Sequence, residues 1–304
     1  VEPTSDPEEV ARRQQETEEA RHFLDGGGTL DLSGAGAQDV RVQVERAALG
    51  GLLTSKELRS VLDTLHVIRM GRNAVLRRRQ GHLLLSSLAG QVPELHDLEE
   101  EIQRTIGRDG EVMDSASDGL REARAQKGLA NSHLMDTLNW VIRSDLGRHV
   151  LQEPLITERN DRLVVPVKVE MRNRLPGLVH DVSDSGATLF VEPFVAISAG
   201  NRWREMRLAE SREVEKVLWK LSASISERAS EIALALDLMG RLDLVMALGR
   251  YAISLNAQAV VLDQSEHPSL RLVDARHPLL QRNVVSISLE LGASNAQRWT
   301  GLLI

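Results

Sequence analysis

Along most of the chain, apolar positions recur every three or four residues, and that spacing predicts helices. In one run, Val214, Leu218, Leu221, Ile225, Ile232, Leu236 and Met239 are separated by four, three, four, seven, four and three residues. This is a heptad seam. It predicts one long helix from Arg202 to about Asn256, packed against a helical partner. At ~1.5 Å per residue, roughly thirty residues of such a helix extend ~45 Å. Its other faces mix both charge signs, through Arg202, Arg204, Arg207, Glu210, Arg212, Glu213, Glu215 and Lys216, as a solvated arm should. A second long helix is predicted to begin at Asp118 and to continue from Gln126 to Leu151, with Leu134, Leu138, Val141 and Ile142 as its apolar set. Earlier, Thr54-Ser55-Lys56-Glu57 has the capping-box pattern and opens a helix carrying Leu58, Val61, Leu62, Leu65, Ile68 and Met70. Shorter helices are predicted from Thr4 to about Leu24, where Ser5 or Asp6 caps ahead of Pro7, and at Val40–Leu49, Leu83–Leu88 and Glu94–Thr105.

One stretch breaks this period. From Arg162 to Glu170 the chain carries Leu163, Val164, Val165, Val167 and Val169, a β-branched run that favours extended structure. Pro166 within it suggests an edge strand or a bulge. Pro176-Gly177 and Ser183-Asp184-Ser185-Gly186 are turn signals. They bracket strand candidates at Leu178–Val182 and Thr188–Val191. The fold class expected is therefore mainly α, with a small antiparallel sheet carried on long helical arms. Beyond Val260 the character changes again. Val284 to Leu291 alternates Ser286 and Ser288 with Val285, Ile287 and Leu289, a strand pattern, and Gly301–Ile304 resembles the start of another. This predicts the beginning of an α/β domain.

Composition narrows the chemistry. The net charge of -7 excludes a globally basic coat for nucleic acid, so any such contact has to be local. The β stretch supplies a candidate, because Arg162, Lys168, Arg172 and Arg174 are opposed there only by Glu170. Residues two apart share a strand face, so Arg162 and Lys168 align, and Arg172 and Arg174 extend that face if the strand continues. Such a face suits backbone phosphates; an ordinary solvated face has the same spacing. Aromatic residues make up 3% of the chain, which argues against a base-stacking platform. There is no Cys, so thiolate metal sites are excluded. No apolar run approaches the ~18 residues of a membrane span.

Other constellations read as structural. His180 and Asp181 are neighbours on a strand, so they point to opposite faces and form no catalytic pair. His180 is read as structural or as facing phosphate. Asp161, Asp181 and Asp184 lack ordered ligand spacing and are read as turn and cap residues. Trp203 and Trp219 are read as packing residues, with interface anchoring second, and Arg77-Arg78-Arg79 as a solvated helix end, with phosphate contact as the alternative. The chain starts at Val1 and stops at Ile304 within an apolar run, and is expected to be a piece of a longer protein.

Several strings in this order resemble the type-two branch of the bacterial MutS proteins. They are Leu151–Pro154 followed by RNDRLVVPVK, then GLVHDVSDSGATLFVEP ending at Pro193, and ARHPLL at Ala275–Leu280. GEVMDSAS at Gly110–Ser117 and the GGLLT string at the start of the second helix also match. The resemblance implies helical core or lever residues over 1–155 and 199–262, a clamp over 156–198, and the start of an ATPase domain over 263–304. It implies a homodimer in the bacterial cytoplasm that encloses DNA, including branched DNA, or engages stalled ribosomes through rRNA. It also implies links to DNA repair, suppression of homologous recombination and rescue of collided ribosomes. ATP and magnesium, and a carboxy-terminal Smr endonuclease domain, belong to the longer protein. The chain departs from the family where it stops, ahead of the Gly-rich phosphate loop. The usual Pro-Xaa-Asp segment reads Ser286-Ile287-Ser288. No nucleotide-contacting, catalytic or metal residue is therefore assigned, and no cofactor or enzymatic activity is expected of this stretch alone. The nucleic-acid contacts expected are Arg162, Lys168, Arg172, Arg174 and His180. The alternative is a coiled-coil scaffold whose tip binds protein or ribosome.

Overall fold

The computed structural model of the chain describes residues 3–32, 34–262, 269–277, 285–294 and 297–298. Its helices are α1 (Pro7–Asp25), α2 (Arg41–Ala48), α3 (Ser55–Leu76), α4 (Leu83–Gly90), α5 (His96–Thr105), α6 (Asp118–Arg143), α7 (Asp145–Val150), α8 (Ile197–Glu227) and α9 (Ala229–Leu255). The strands are β1 (Thr157–Arg159), β2 (Arg162–Lys168), β3 (Gly177–Val182), β4 (Thr188–Pro193), β5 (Leu270–Ala275), β6 (Ile287–Leu291), β7 (Ala293–Ser294) and β8 (Gln297–Arg298). The protein is mainly α with a small antiparallel β part. The chain forms two compact units, one from Val1–Ala37, His66–Glu94 and Ser230–Ile304, the other from Gln38–Leu65 and Leu95–Ala229.

In the first unit, α1 begins where the Asp6 carboxylate accepts the Glu8 N–H at 3.1 Å, with Pro7 in the first turn. Ala20 and Phe23 on α1 are buried, as are Leu85 and Leu88 on α4 and Met239, Leu242 and Met246 on α9. Helix α9 comes close to α1: a Cβ on Gly249 would lie 2.8 Å from Ala20 Cβ. The buried Glu19 carboxylate accepts the Leu85 N–H at 3.0 Å, satisfying a first-turn donor of α4. Strands β5 and β6 pair antiparallel, and β6 falls within the strand expected at 284–291. The expected strand at Gly301–Ile304 and the Pro278–Leu280 part of the ARHPLL string lie outside the described residues.

The second unit holds the predicted sheet. The capping box at α3 forms as the sequence indicates: Thr54 N–H donates to Glu57 at 2.9 Å, and Glu57 N–H donates to Thr54 Oγ1 at 3.3 Å. Helix α6 starts at Ser117, whose hydroxyl accepts the Leu120 N–H at 3.0 Å. It packs along α8. The C-terminal half of α6 and the first turns of α8 meet the sheet together, so the two helices run antiparallel. Leu134, Leu138 and Val141 of α6, Ala196 and Ala199 at the start of α8, and Val165, Val167, Leu189 and Val191 of the strands form one buried cluster. Val165 lies opposite Val191 and Val167 opposite Leu189, so these side chains share the face turned to the helices. Each such buried aliphatic side chain contributes roughly 1.5–3 kcal/mol.

The strand order is β1-β2-β4-β3, all antiparallel. Asn160 and Asp161 have φ of 49° and 59°, the two positive values of a type I′ hairpin turn joining β1 to β2. Pro166 occupies an interior strand rather than an edge. The Pro166 carbonyl accepts the Gln152 N–H at 2.9 Å, on the side away from β4. In an antiparallel ladder a residue's N–H and C=O point the same way. The N–H that proline lacks therefore removes no β2–β4 bond.

Three expectations are corrected. The helix expected from Arg202 to Asn256 begins at Ile197 and is interrupted at Arg228, which leaves helical geometry (φ -106°, ψ 12°) and pairs with Asp97 at 2.8 Å. The helix expected from Asp118 to Leu151 starts at Asp118 but breaks at Ser144, an extended residue whose hydroxyl accepts the Gly147 N–H at 3.0 Å and so caps α7. The strand expected through Glu170 stops at Lys168. Val169 N–H makes a last bond to Ala187 O at 3.0 Å, and residues Val169–Arg174 wind into a 3-10 helix.

Candidate nucleic-acid interface

The five expected contact residues separate into two groups. Arg162 and His180 converge on Glu192. This β4 carboxylate is 2% exposed and sits between Val191 and Pro193. Arg162 Nη1 donates to Glu192 Oε1 at 3.1 Å and to Asn201 Oδ1 at 2.8 Å. His180 Nε2 lies 2.7 Å from Glu192 Oε2. The ladder between β3 and β4 shifts register between Val179 and Asp181, and this bulge carries His180. Helix α8 leaves room for the carboxylate, because a Cβ on Gly200 would lie 2.7 Å from Glu192 Oε1. A buried carboxylate without partners is costly, and here the Arg162 and His180 side chains meet it. The Arg162 and His180 side chains are 18% and 21% exposed, so both are turned inward. Expecting Arg162 on an outer cationic face misplaces it, since Glu192, which draws it in, lies on another strand, whereas His180 sits where its structural reading would put it.

The second group faces solvent. With β2 ended, Arg172 and Arg174 do not extend its face; they lie exposed on the 3-10 helix. Neither makes a hydrogen bond or ion pair among the described residues. Lys168 closes β2 and donates to the His149 carbonyl at 3.5 Å, which sets it beside α7. Helix α7 packs against the 3-10 helix, and its Arg148 is exposed and pairs, among the described residues, with Asp145 alone at 3.9 Å. Arg143, ending α6, is also exposed. The outward cations are thus Lys168, Arg172 and Arg174 with Arg143 and Arg148, opposed by Asp145 and Glu170. The sequence pattern did not single out Arg143 and Arg148, because they belong to helices. Their one signal is a pair of arginines flanking Ser144-Asp145, a capping pair.

Asp161 takes the turn role expected of it, whereas Asp181, also read as a turn or cap residue, stands on β3 and forms an ion pair with Arg159 at 3.4 Å. The Arg159 guanidinium also covers the Phe190 ring, 4.4 Å from its centroid.

No family model matches the chain. Individual relatives do. It is 38% identical to Endonuclease MutS2 of Pelotomaculum thermopropionicum over 295 residues, 96% of this chain and 37% of the relative. It is 38% identical to Endonuclease MutS2 of Geobacillus thermodenitrificans over 284 residues, 92% of this chain and 36% of the relative. Endonuclease MutS2 of Symbiobacterium thermophilum is 36% identical over 290 residues. The chain belongs to the MutS2 family. It spans about 37% of the length of these relatives.

In this MutS2 stretch, ion pairs tie the sheet and α6 to α8. Arg207 donates to Glu158 of β1 at 3.1 Å and to Asp161 of the hairpin turn at 2.7 Å, while its guanidinium lies 4.9 Å from the Trp203 ring centroid. The hydrogen bond from Arg207 holds the Asp161 carboxyl below the usual range, and Asp161 in turn raises Arg207. Farther along, Glu210 pairs with Arg124 at 3.0 Å and with Lys127, both on α6. Burial pushes the Glu210 carboxyl up, but bonds from Lys127 and Arg124 outweigh it and hold the group below its ordinary value. Trp203 packs against the core as expected, whereas Trp219 is 45% exposed. No described helix is long and apolar enough to cross a membrane.

Proposed function

We propose that this stretch is the lever-and-clamp part of an ATP-driven MutS-type protein, and that its sheet grips nucleic acid by the backbone. Lys168, Arg172 and Arg174 supply the phosphate contacts, with Arg143 and Arg148 alongside. Arg162 and His180 act one step back, holding the sheet on α8 through Glu192. The observation that carries this reading is the pair Arg172 and Arg174, exposed and unopposed by any acid within bonding distance among the described residues, on a chain of net charge -7. Unopposed cations fit a polyanion, because counterion release makes each phosphate contact favourable at ordinary salt. The coupling of β1–β2 to α8 through Arg207, and of α8 to α6 through Glu210, gives a route by which a helix movement would shift the gripping surface.

On this reading the longer protein supplies the rest. ATP and magnesium bind in the domain that begins near residue 263, two copies associate, and an Smr domain carries the endonuclease activity that the relatives' name states. The target is DNA, branched forms included, in suppression of recombination and repair, or rRNA phosphates on collided ribosomes in the bacterial cytoplasm. Affinity measured side by side for linear duplex, four-way junctions and collided ribosomes, over a salt series, separates these. The proposal expects a steep salt dependence for at least one. Salt-insensitive binding to all three would reject it.

A second reading has its own observation. Leu178 and Val179 on the edge strand β3, with Phe194 and Val195 beside its start, are exposed at 48, 38, 56 and 60%. An apolar edge of that kind suits a protein partner, and a partner bound equally at low and high salt would favour it.

A further inference from the structure

Trp140 stands on the outer face of α6, whose Leu134, Leu138 and Val141 turn to the core. It is 66% exposed, more than Phe194, Tyr251 or Trp219. Tryptophan is highly buried on average, so a bare indole calls for a cause. Other rings of this chain are covered by an arginine: Phe23 by Arg78, Phe190 by Arg159 and Trp203 by Arg207. The Trp140 ring makes no aromatic, cationic or hydrogen-bonded contact among the described residues.

Its surroundings select the ligand. Residues three and four apart on a helix are neighbours, so Trp140 adjoins the exposed Asp136 and Arg143 on the solvent side. Past the break at Ser144, α7 brings Arg148 and packs against the 3-10 helix that carries Arg172 and Arg174. An open ring close to unopposed cations fits a ligand with a flat π face and a negative backbone, which is an unpaired nucleobase with its phosphates. An apolar protein partner would cover the indole but leave the arginines without an anion. In a stacked duplex each base already has neighbours on both faces, so the indole is reached by a single strand, a flap or a frayed end. An aromatic content of 3% argues against a platform for many bases, whereas one ring serves one base.

We propose that Trp140 stacks on an unpaired base of a single strand whose phosphates meet the outward arginines. This rests on the phosphate-contact reading and adds that the strand bound beside α6 is unpaired. Fluorescence anisotropy of the 304-residue chain tests it on strands about twelve nucleotides long: oligothymidylate, oligouridylate, and a DNA strand with abasic sites in place of bases. The parent chain, Trp140→Ala and Trp140→Phe are compared over a salt series, and circular dichroism with a thermal melt checks the fold. Trp140→Ala should weaken binding to a base-bearing strand at least about fivefold, keep the abasic strand within about twofold, and leave the salt slope unchanged. Trp140→Phe, which keeps a ring, should retain most of the affinity. Whichever base-bearing strand loses more identifies the ligand as DNA or RNA. An equal loss on the abasic strand would overturn the proposal, because the ring would then be holding the surface rather than a base. So would no effect of Trp140→Ala on either base-bearing strand, or no binding to either; salt-dependent binding of the parent to the abasic strand would in those cases leave the phosphate contacts standing. Salt-insensitive binding by the parent would instead reject the phosphate contacts and the stacking together.

Discussion

Removing the Glu192 carboxylate is the sharpest perturbation of the sheet. In Glu192→Ala, Arg162 keeps its bond to Asn201 but is deprived of its anionic partner, and His180 of the acceptor 2.7 Å away. Both side chains are less than a third exposed, so water replaces the carboxylate incompletely. Breaking a buried pair from one side costs about 3–5 kcal/mol. The variant also leaves space beside Gly200 that the carboxylate had filled, so the upper half of that range is expected. Arg162→Ala should cost about 3 kcal/mol, because Glu192 then stays buried with His180 alone. The double variant should cost at least ~1 kcal/mol less than the sum, since each single change already breaks the pair they share. Urea unfolding followed by tryptophan fluorescence reads these values, Trp203 packing against the same cluster as the strands. With a urea slope of roughly 3 kcal/mol per molar, each single variant lowers the midpoint by about 1 M or more. Additive costs, or a shift below about 0.3 M for Glu192→Ala, would show that this carboxylate does not hold the sheet.

Other consequences follow from the helices. Gly249→Ala pushes a Cβ to 2.8 Å from Ala20 Cβ and 3.1 Å from its carbonyl carbon; it should cost about 1–3 kcal/mol in a thermal or urea melt. Gly128→Ala in α6 meets nothing within 4 Å and should gain about 0.5–1 kcal/mol in the same assay; equal effects would contradict the packing described. The Glu210 carboxyl is depressed when folded, so its stabilising contribution is present above the ordinary Glu value of about 4.3 and disappears as pH falls through the lower folded value. The stability gap between the parent chain and Glu210→Gln should therefore hold from pH 7 to about 5 and close toward pH 3; a gap unchanged at pH 3 would refute the pairing with Lys127 and Arg124.

Local chemistry was readable residue by residue, and convergence across the chain was not. The Thr54–Glu57 box, the Asp6–Pro7 start of α1 and the Ser183–Gly186 turn depend on neighbours in sequence, and their spacing reveals them. So does the seam: Leu221, Ile225, Ile232 and Met239 are buried as its period requires. The break at Arg228 was hidden because it falls in the one seven-residue gap of that seam, where two helices and one continuous helix look alike. The end of β2 was hidden for a related reason. Val169 keeps the β-branched run going, but the partner strand β4 begins at Thr188, opposite Lys168, and leaves Val169 one bond short of a strand. Glu192 was the largest omission. A lone acid between Val191 and Pro193 in an otherwise apolar strand signals a buried carboxylate. Its partners, however, stand 30 and 12 residues away, at Arg162 and His180, and only the folded sheet identifies them.

The most direct test of the clamp reading compares two sets of variants by the slope of log affinity against log salt on duplex DNA. Lys168→Ala/Arg172→Ala/Arg174→Ala should reduce that slope by ~2.7, at ~0.9 for each phosphate no longer neutralised. Arg162→Ala should leave the slope unchanged while lowering the urea midpoint. A slope untouched by the triple variant, or one lowered by Arg162→Ala instead, would contradict the assignment of the gripping surface.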